Sequence, residues 1–165
     1  MNLTTLKTII YQRDNMLPEV ESNDVFFSLL DRAIVNVRSE LRGFEPNVLE
    51  AWLESQTSPL DYPSDLVKNE IALFYPAGEY QIPIDTSNVS ERNGKWYIES
   101  YSDFSVKYSK DLARFTDMAD VLPFTMMKSE EIIISEVMAL IYLNYAENEV
   151  TPSVGTAIDQ ANRIK

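Results

Sequence analysis

The stretch FYPAGEYQIPID, residues 74–85, lies between two long helix-forming segments and fits neither. It opens on a Pro-Ala-Gly turn and then sets Tyr80, Ile82 and Ile84 at the two-residue spacing of a strand. Pro83 has no backbone N–H to give to a ladder, which assigns this strand to a sheet edge. A β edge inside a chain of helix-forming segments implies an α+β fold: mainly a helical bundle, with a small antiparallel β insert between the second long helix and the last core helix.

Working outward, Leu66 to Phe74 fits a helix and a buried strand about equally well, and we read it as a strand after a helical turn. Asn93-Gly94 is a two-residue hairpin signal, and the aromatic run KWYIESY that follows is strand-like. In FSVKYS, residues 104–109, Phe104, Val106 and Tyr108 alternate again. Residues 66–109 therefore form the expected insert.

The flanks carry the 3.6-residue period. Leu3, Leu6, Ile9 and Ile10 predict a first helix that ends before Pro18. Residues 22–43, SNDVFFSLLDRAIVNVRSELRG, predict the clearest helix, with Phe26, Leu30, Ala33, Ile34, Val37 and Leu41 on one face. Ser22, Asn23 or Asp24 can cap it, and Gly43 ends it. Pro46 suits the first position of a short third helix whose Leu49, Trp52 and Leu53 point one way. Residues 55–65, SQTSPLDYPSD, read as loop.

Residues 130–148, EEIIISEVMALIYLNYAEN, are apolar almost all round, which is the pattern of a helix buried on several sides. The run is shorter than the roughly 20 apolar residues that span a bilayer, so a core helix is expected and no membrane partner. Thr151 can cap a last helix that has Pro152 at its first position and Val154, Ala157, Ile158, Ala161 and Ile164 as a narrow stripe. The organisation expected is a helical core over residues 1–149 carrying the insert, and a C-terminal docking helix or tail over residues 150–165.

The chain has 165 residues, 26 acids and 14 bases, a net charge of −12, and no cysteine or histidine. The acidity is spread along the whole length. Such a field repels phosphate backbones and argues against a reader of nucleic acid. Without cysteine and histidine there are no disulfides, no zinc sites of the usual ligands, no thiol nucleophile and no imidazole base. The start, MNLTTLKTII, has no apolar core of a secretion signal. The four glycines stand singly, so there is no phosphate-binding loop.

The paired acids are Glu130 with Glu131, Glu147 with Glu149, and Asp117 with Asp120. A carboxylate hydrolase needs such a pair, but among 26 acids close pairs arise by chance, and a solvated acidic face explains them better. No catalytic, cofactor-binding or metal-binding residue is therefore assigned, and no enzyme activity or cofactor is expected. Trp96, Tyr97, Tyr101, Phe104 and Tyr108 could form a stacking platform for single strands, but the nearby Arg92, Lys95, Lys107 and Lys110 are balanced by Glu91, Glu99, Asp103 and Asp111, so cross-strand packing is the better reading, with an outer face that can meet another protein.

YPSDL at residues 62–66, NGKWYIES at 93–100 and TDMADVLP at 116–123, set in this order of helices and strands, resemble the head-tail connector or adaptor proteins of tailed bacteriophages. In that family an lPsDl-type turn leads into the strands and a t-D-x-x-D-x-L-P stretch introduces the long last core helix. Tyr62, Pro63, Ser64, Asp65 and Leu66 match the first motif, with Tyr62 where leucine is usual. Thr116, Asp117, Asp120, Leu122 and Pro123 match the second.

The resemblance implies a structural virion protein at the neck, made in the host cytoplasm. It implies a homo-oligomeric ring, usually twelve-fold, below the portal protein, through whose lumen DNA passes without specific binding and onto which tail or further neck proteins attach. It makes Val154, Ala157, Ile158, Ala161 and Ile164 portal-docking candidates, and Trp96, Tyr97, Tyr101, Phe104 and Tyr108 subunit-interface candidates. The alternative is an acidic soluble interaction protein, such as an inhibitor or DNA mimic.

Overall fold

The computed structural model describes the backbone of residues 1–162 and the side chains of residues 1–148. In chain order the elements are α1 (Leu3–Arg13), α2 (Asn23–Asn36), α3 (Arg38–Phe44), α4 (Pro46–Leu49), β1 (Glu50–Gln56), β2 (Leu60–Asp61), β3 (Leu73–Pro76), β4 (Val89–Arg92), β5 (Lys95–Ile98), β6 (Phe104–Ser109) and α5 (Met127–Asn162). A single 3-10 turn, Thr86–Asn88, precedes β4. The fold is α+β: among the described residues, five helices with two small antiparallel sheets inserted among them. It divides into a helical unit, Met1–Phe44 with Arg114–Lys165, and a β unit, Glu45–Ala113.

In the helical unit each early helix starts where its sequence supplies a cap. The Asn2 side chain accepts the Thr5 N–H at 2.8 Å, and Ser22 Oγ accepts the Val25 N–H at 3.3 Å. Leu3, Leu6 and Ile10 of α1 and Phe26, Leu30, Ala33 and Ile34 of α2 are buried, as their spacing predicts. The helix expected over residues 22–43 is two helices. Val37 leaves helical geometry at φ −98°, ψ 12°, yet its N–H still reaches the Ala33 carbonyl at 3.0 Å. Gly43 does not end α3, which runs to Phe44. The stop comes at Glu45, driven out of the helical region by the proline that follows it.

The long helix α5 packs on α1, α2 and α3. Ile133, Ile134, Val137, Leu140 and Ile141 are buried, whereas Tyr142, Leu143 and Tyr145 on the same stretch are exposed. Its all-round apolarity therefore does not translate into burial on every side. The assigned bounds of α5 run past Thr151 and Pro152, where the sequence predicts the start of a separate helix, and that expectation lies outside the residues whose side chains are described. Among the described residues no helix is long and apolar enough to cross a membrane.

In the β unit one sheet has the order β1-β6-β3 and the other β2-β5-β4, all antiparallel. The helix expected from Pro46 lasts one turn and becomes strand β1. Leu49 is fully buried, Leu53 pairs with Val106 on the core side, and Trp52 faces the other way. Residues at 49, 52 and 53 fit a helix face equally well, and the pairing with β6 decides against it. The Asn93-Gly94 hairpin forms as predicted, with φ of 52° and 73° at the two turn residues. The strand expected through Tyr80, Ile82 and Ile84 does not form: only Ile84 turns inward, where its N–H meets the Phe74 carbonyl at 2.7 Å.

Candidate interaction surface of the β unit

Phe74, Ile84, Trp96, Ile98, Phe104 and Val106 form the core of the β unit. Trp96 is its centre. Tyr62 lies 4.7 Å from it between ring centroids, and Phe74 meets it edge-on at 5.3 Å. Burial of an indole requires a partner for its N–H, and Trp96 Nε1 donates to Glu91 Oε1 at 3.2 Å. The other Glu91 oxygen accepts from the Tyr62 hydroxyl at 2.8 Å. Burial, and then the neighbouring Glu91, push the Tyr62 hydroxyl above the usual phenol pKa.

These rings form one wall of a cleft of about 490 Å3. Its lip is apolar and turned to solvent at Ile71, which is 81% exposed. Glu70, Glu91 and Lys68 are the charged groups lining it. Both carboxylates are held in place, Glu91 as above and Glu70 by the Ser109 hydroxyl at 2.6 Å. β3, beside the cleft, has β6 as its strand partner and forms an edge of its sheet.

A second aromatic group lies on the face of the β1-β6-β3 sheet opposite its core. Trp52 contacts Tyr75 at 5.2 Å and Tyr80 edge-on at 5.3 Å, with Trp52 and Tyr80 both more than 40% exposed. Trp52 and Leu73 flank Lys107 in register, and Lys107 is neutralised by Glu50 at 2.6 Å.

The five residues singled out as subunit-interface candidates do not form one surface. Trp96 and Phe104 belong to the core cluster and Tyr108 is 6% exposed, while Tyr97 is half-buried and Tyr101 exposed. Their alternation is that of strands with an inner and an outer face, so the buried members are the packing partners the same pattern also allows. The exposed aromatics Trp52 and Tyr80 were legible only as a helix residue and a strand residue. The portal-docking candidates Val154, Ala157, Ile158, Ala161 and Ile164 lie outside the described side chains.

Both motifs that carry the family resemblance are built turns. At Tyr62–Leu66 the Leu66 N–H closes on the Pro63 carbonyl at 3.1 Å, and the Asp65 carboxylate accepts the Tyr108 hydroxyl at 3.0 Å. At Thr116–Asp120, Asp120 Oδ2 accepts the N–H groups of Thr116 and Asp117 at 2.9 and 3.0 Å, which hold it below the usual carboxylate range. Asp117 accepts the Ala119 N–H at 2.8 Å, and the Leu3 N–H bonds the Asp120 carbonyl at 3.0 Å. Asp117 and Asp120 thus shape the entry to α5. Of the other paired acids, Glu131 binds Arg13 and Glu130 lies 3.6 Å from the N-terminal amine. Among the described residues no group of three or more acids converges on a metal position.

No protein-family model, no curated protein and no solved structure matches this chain.

Proposed function

We propose that this chain is a structural subunit that joins copies of itself into a ring below the portal of a tailed-phage capsid. The ring extends the DNA channel and offers the platform for tail attachment. The observation that carries this reading is the β unit's surface: exposed Trp52, Tyr80, Ile71 and Ile82 on a small domain whose sheets end in short edge strands. Exposed apolar groups beside unpaired strand edges are the equipment of a subunit contact. A heterologous contact of this kind closes into a ring when its rotation closes. Support also comes from the two resemblance motifs, each folded into a hydrogen-bonded turn ahead of the element it introduces. The charge of −12 suits a lumen past which DNA slides without sticking.

Mass measurement and negative-stain imaging of the purified chain, alone and mixed with a portal assembly, test the proposal. Rings, free or seated on the portal, are the expected result. A chain that stays monomeric with the portal present overturns it. Deleting residues 150–165 is expected to abolish portal binding while leaving a folded subunit, and unchanged binding removes that segment from the docking role.

A further inference from the structure

Asn93-Gly94 is the one Asn-Gly pair in the chain, and the fold leaves its reactive groups bare. Both residues are exposed at the tip of the β4–β5 hairpin. Neither the Asn93 carboxamide nor the Gly94 N–H makes a hydrogen bond among the described residues. Glycine brings no side chain to shield its nitrogen, and the space beside Gly94 is open. After every other asparagine of the chain stands a residue whose side chain crowds the same nitrogen.

These conditions permit a reaction that needs only water. The Gly94 nitrogen gives its proton to solvent and bonds to Cγ of Asn93, the Cγ–Nδ2 bond breaks, and the amide nitrogen takes up a proton and leaves as ammonia. Water then opens the resulting cyclic imide at one of its carbonyls. Opening at Cγ gives aspartate on an unchanged main chain. Opening at the backbone carbonyl gives isoaspartate, whose main chain runs through Cβ and Cγ.

The products act differently on the turn. Asp-Gly suits the same tight turn as Asn-Gly. Isoaspartate lengthens the loop by one main-chain atom, between strands that the turn holds in the register Arg92 opposite Lys95. That turn fixes more than itself. The Gly94 carbonyl accepts the Tyr62 N–H at 3.0 Å, and β5 carries β2 on its other side. β4 in turn sets Glu91 where it accepts the Trp96 indole N–H at 3.2 Å and the Tyr62 hydroxyl at 2.8 Å.

We propose that Asn93 is a site of spontaneous deamidation, and that its isoaspartate product releases the β4–β5 hairpin and the Trp96 core behind it. The subunit thus carries a chemical timer in its β unit. The inference goes beyond ring formation and stands for the subunit alone.

The test ages the full chain at mildly alkaline pH, where the Gly94 nitrogen loses its proton more readily. Samples go to peptide mass spectrometry, to an isoaspartate assay by selective enzymatic methylation, and to a spectrum of the Trp96 indole N–H. Asn93 is expected to deamidate ahead of every other asparagine. The fraction of native Trp96 signal lost is expected to match the isoaspartate formed at residue 93 rather than the total deamidated. Freshly purified Asn93→Asp is expected to show the native resonance. Asn93→Gly keeps a turn-forming pair without a carboxamide, and is expected to hold that resonance through ageing.

An Asn93 that stays intact while another asparagine reacts, or isoaspartate at residue 93 beside an undiminished native signal, overturns the inference. So does an Asn93→Gly variant that loses the signal as fast as the parent. An Asn93→Asp variant without the native resonance overturns it too, by assigning the effect to charge rather than to the lengthened main chain.

Discussion

The two units of this chain organise their cores by opposite means. In the helical unit each segment announces itself: α1 and α2 carry their own caps, and their buried residues recur every three or four positions. In the β unit almost nothing is placed by its sequence neighbours. Outside the β4–β5 hairpin that sets Glu91 opposite it, Trp96 finds Tyr62 and Phe74 from two separate segments, and β1 finds β6 across about fifty residues. Local order spreads stability along a helix, whereas long-range order concentrates it where distant segments meet. The helical unit should therefore fail at its hub, α5, and the β unit at one ring.

The largest effect expected is at that hub. Ile133 is fully buried on α5, and Ile133→Asp puts an unpaired carboxylate among apolar side chains, at a cost above about 4 kcal/mol. Loss of the cooperative helical melt in far-UV circular dichroism is the expected outcome, with the Trp96 indole resonance staying near its native position. Simultaneous loss of the Trp96 signal would erase the contrast between units. A variant melting like the parent would refute the placement of α5.

Trp96→Ala comes next, at about 3–5 kcal/mol, the range for removing a large aromatic side chain from a core. Here the reverse pattern is expected: β-unit resonances collapse while the helical signal persists. Helicity falling in step with the β unit would show that the hub and the ring are not separate centres.

Tyr108 sharpens the comparison through pH. Burial, then the hydrogen bond and charge of Asp65, raise its hydroxyl from an ordinary value of 10.0 to about 12. The folded state therefore holds this proton more tightly than the unfolded chain does. Its contribution is complete below pH 10 and is lost as pH rises toward 12. Tyr108→Phe is expected to destabilise the β unit at neutral pH by about 1–3 kcal/mol, through loss of a bond to a charged acceptor. The gap to the parent should close in alkali. A gap unchanged across that window, measured by denaturant titration with tryptophan fluorescence, would discount the Asp65 contact.

The same contrast explains what the sequence discloses. The Ser22 cap, the apolar stripes of α1 and α2 and the Asn93-Gly94 turn are chemistry written within a few residues, and the structure has them where the pattern puts them. The α+β class was legible for that reason. The segment from Leu49 to Leu53 was not, because its apolar spacing satisfies a helix and a strand alike, and the choice belongs to β6, about a third of the chain away. The cleft was hidden for the same cause. Glu70 and Glu91 are two acids among many until Ser109, Tyr62 and Trp96 fix them beside one wall. Among the candidate interface aromatics, alternation left open which face is inner, and the structure turns Trp96, Phe104 and Tyr108 inward and leaves Tyr101 exposed.

The smallest effect belongs to the surface of the helical unit, where Arg13 grips Glu131 with two bonds of 2.5 and 2.6 Å between α1 and α5. Both side chains are over a third exposed, so water and salt screen the pair. The hydrogen bond from Arg13 holds Glu131 below the usual carboxylate range. A depressed carboxylate stabilises the fold above its unfolded pKa and loses that contribution as pH falls through the folded one. Arg13→Gln is therefore expected to lower the helical melting temperature slightly at neutral pH, less so at high salt, and to converge with the parent in acid. It should leave the Trp96 indole resonance where it is. A difference that survives acid would mean that Arg13 acts by packing its stem rather than by its charge, and an effect as large as that of Trp96→Ala would make the helical unit as dependent on a single contact as the β unit.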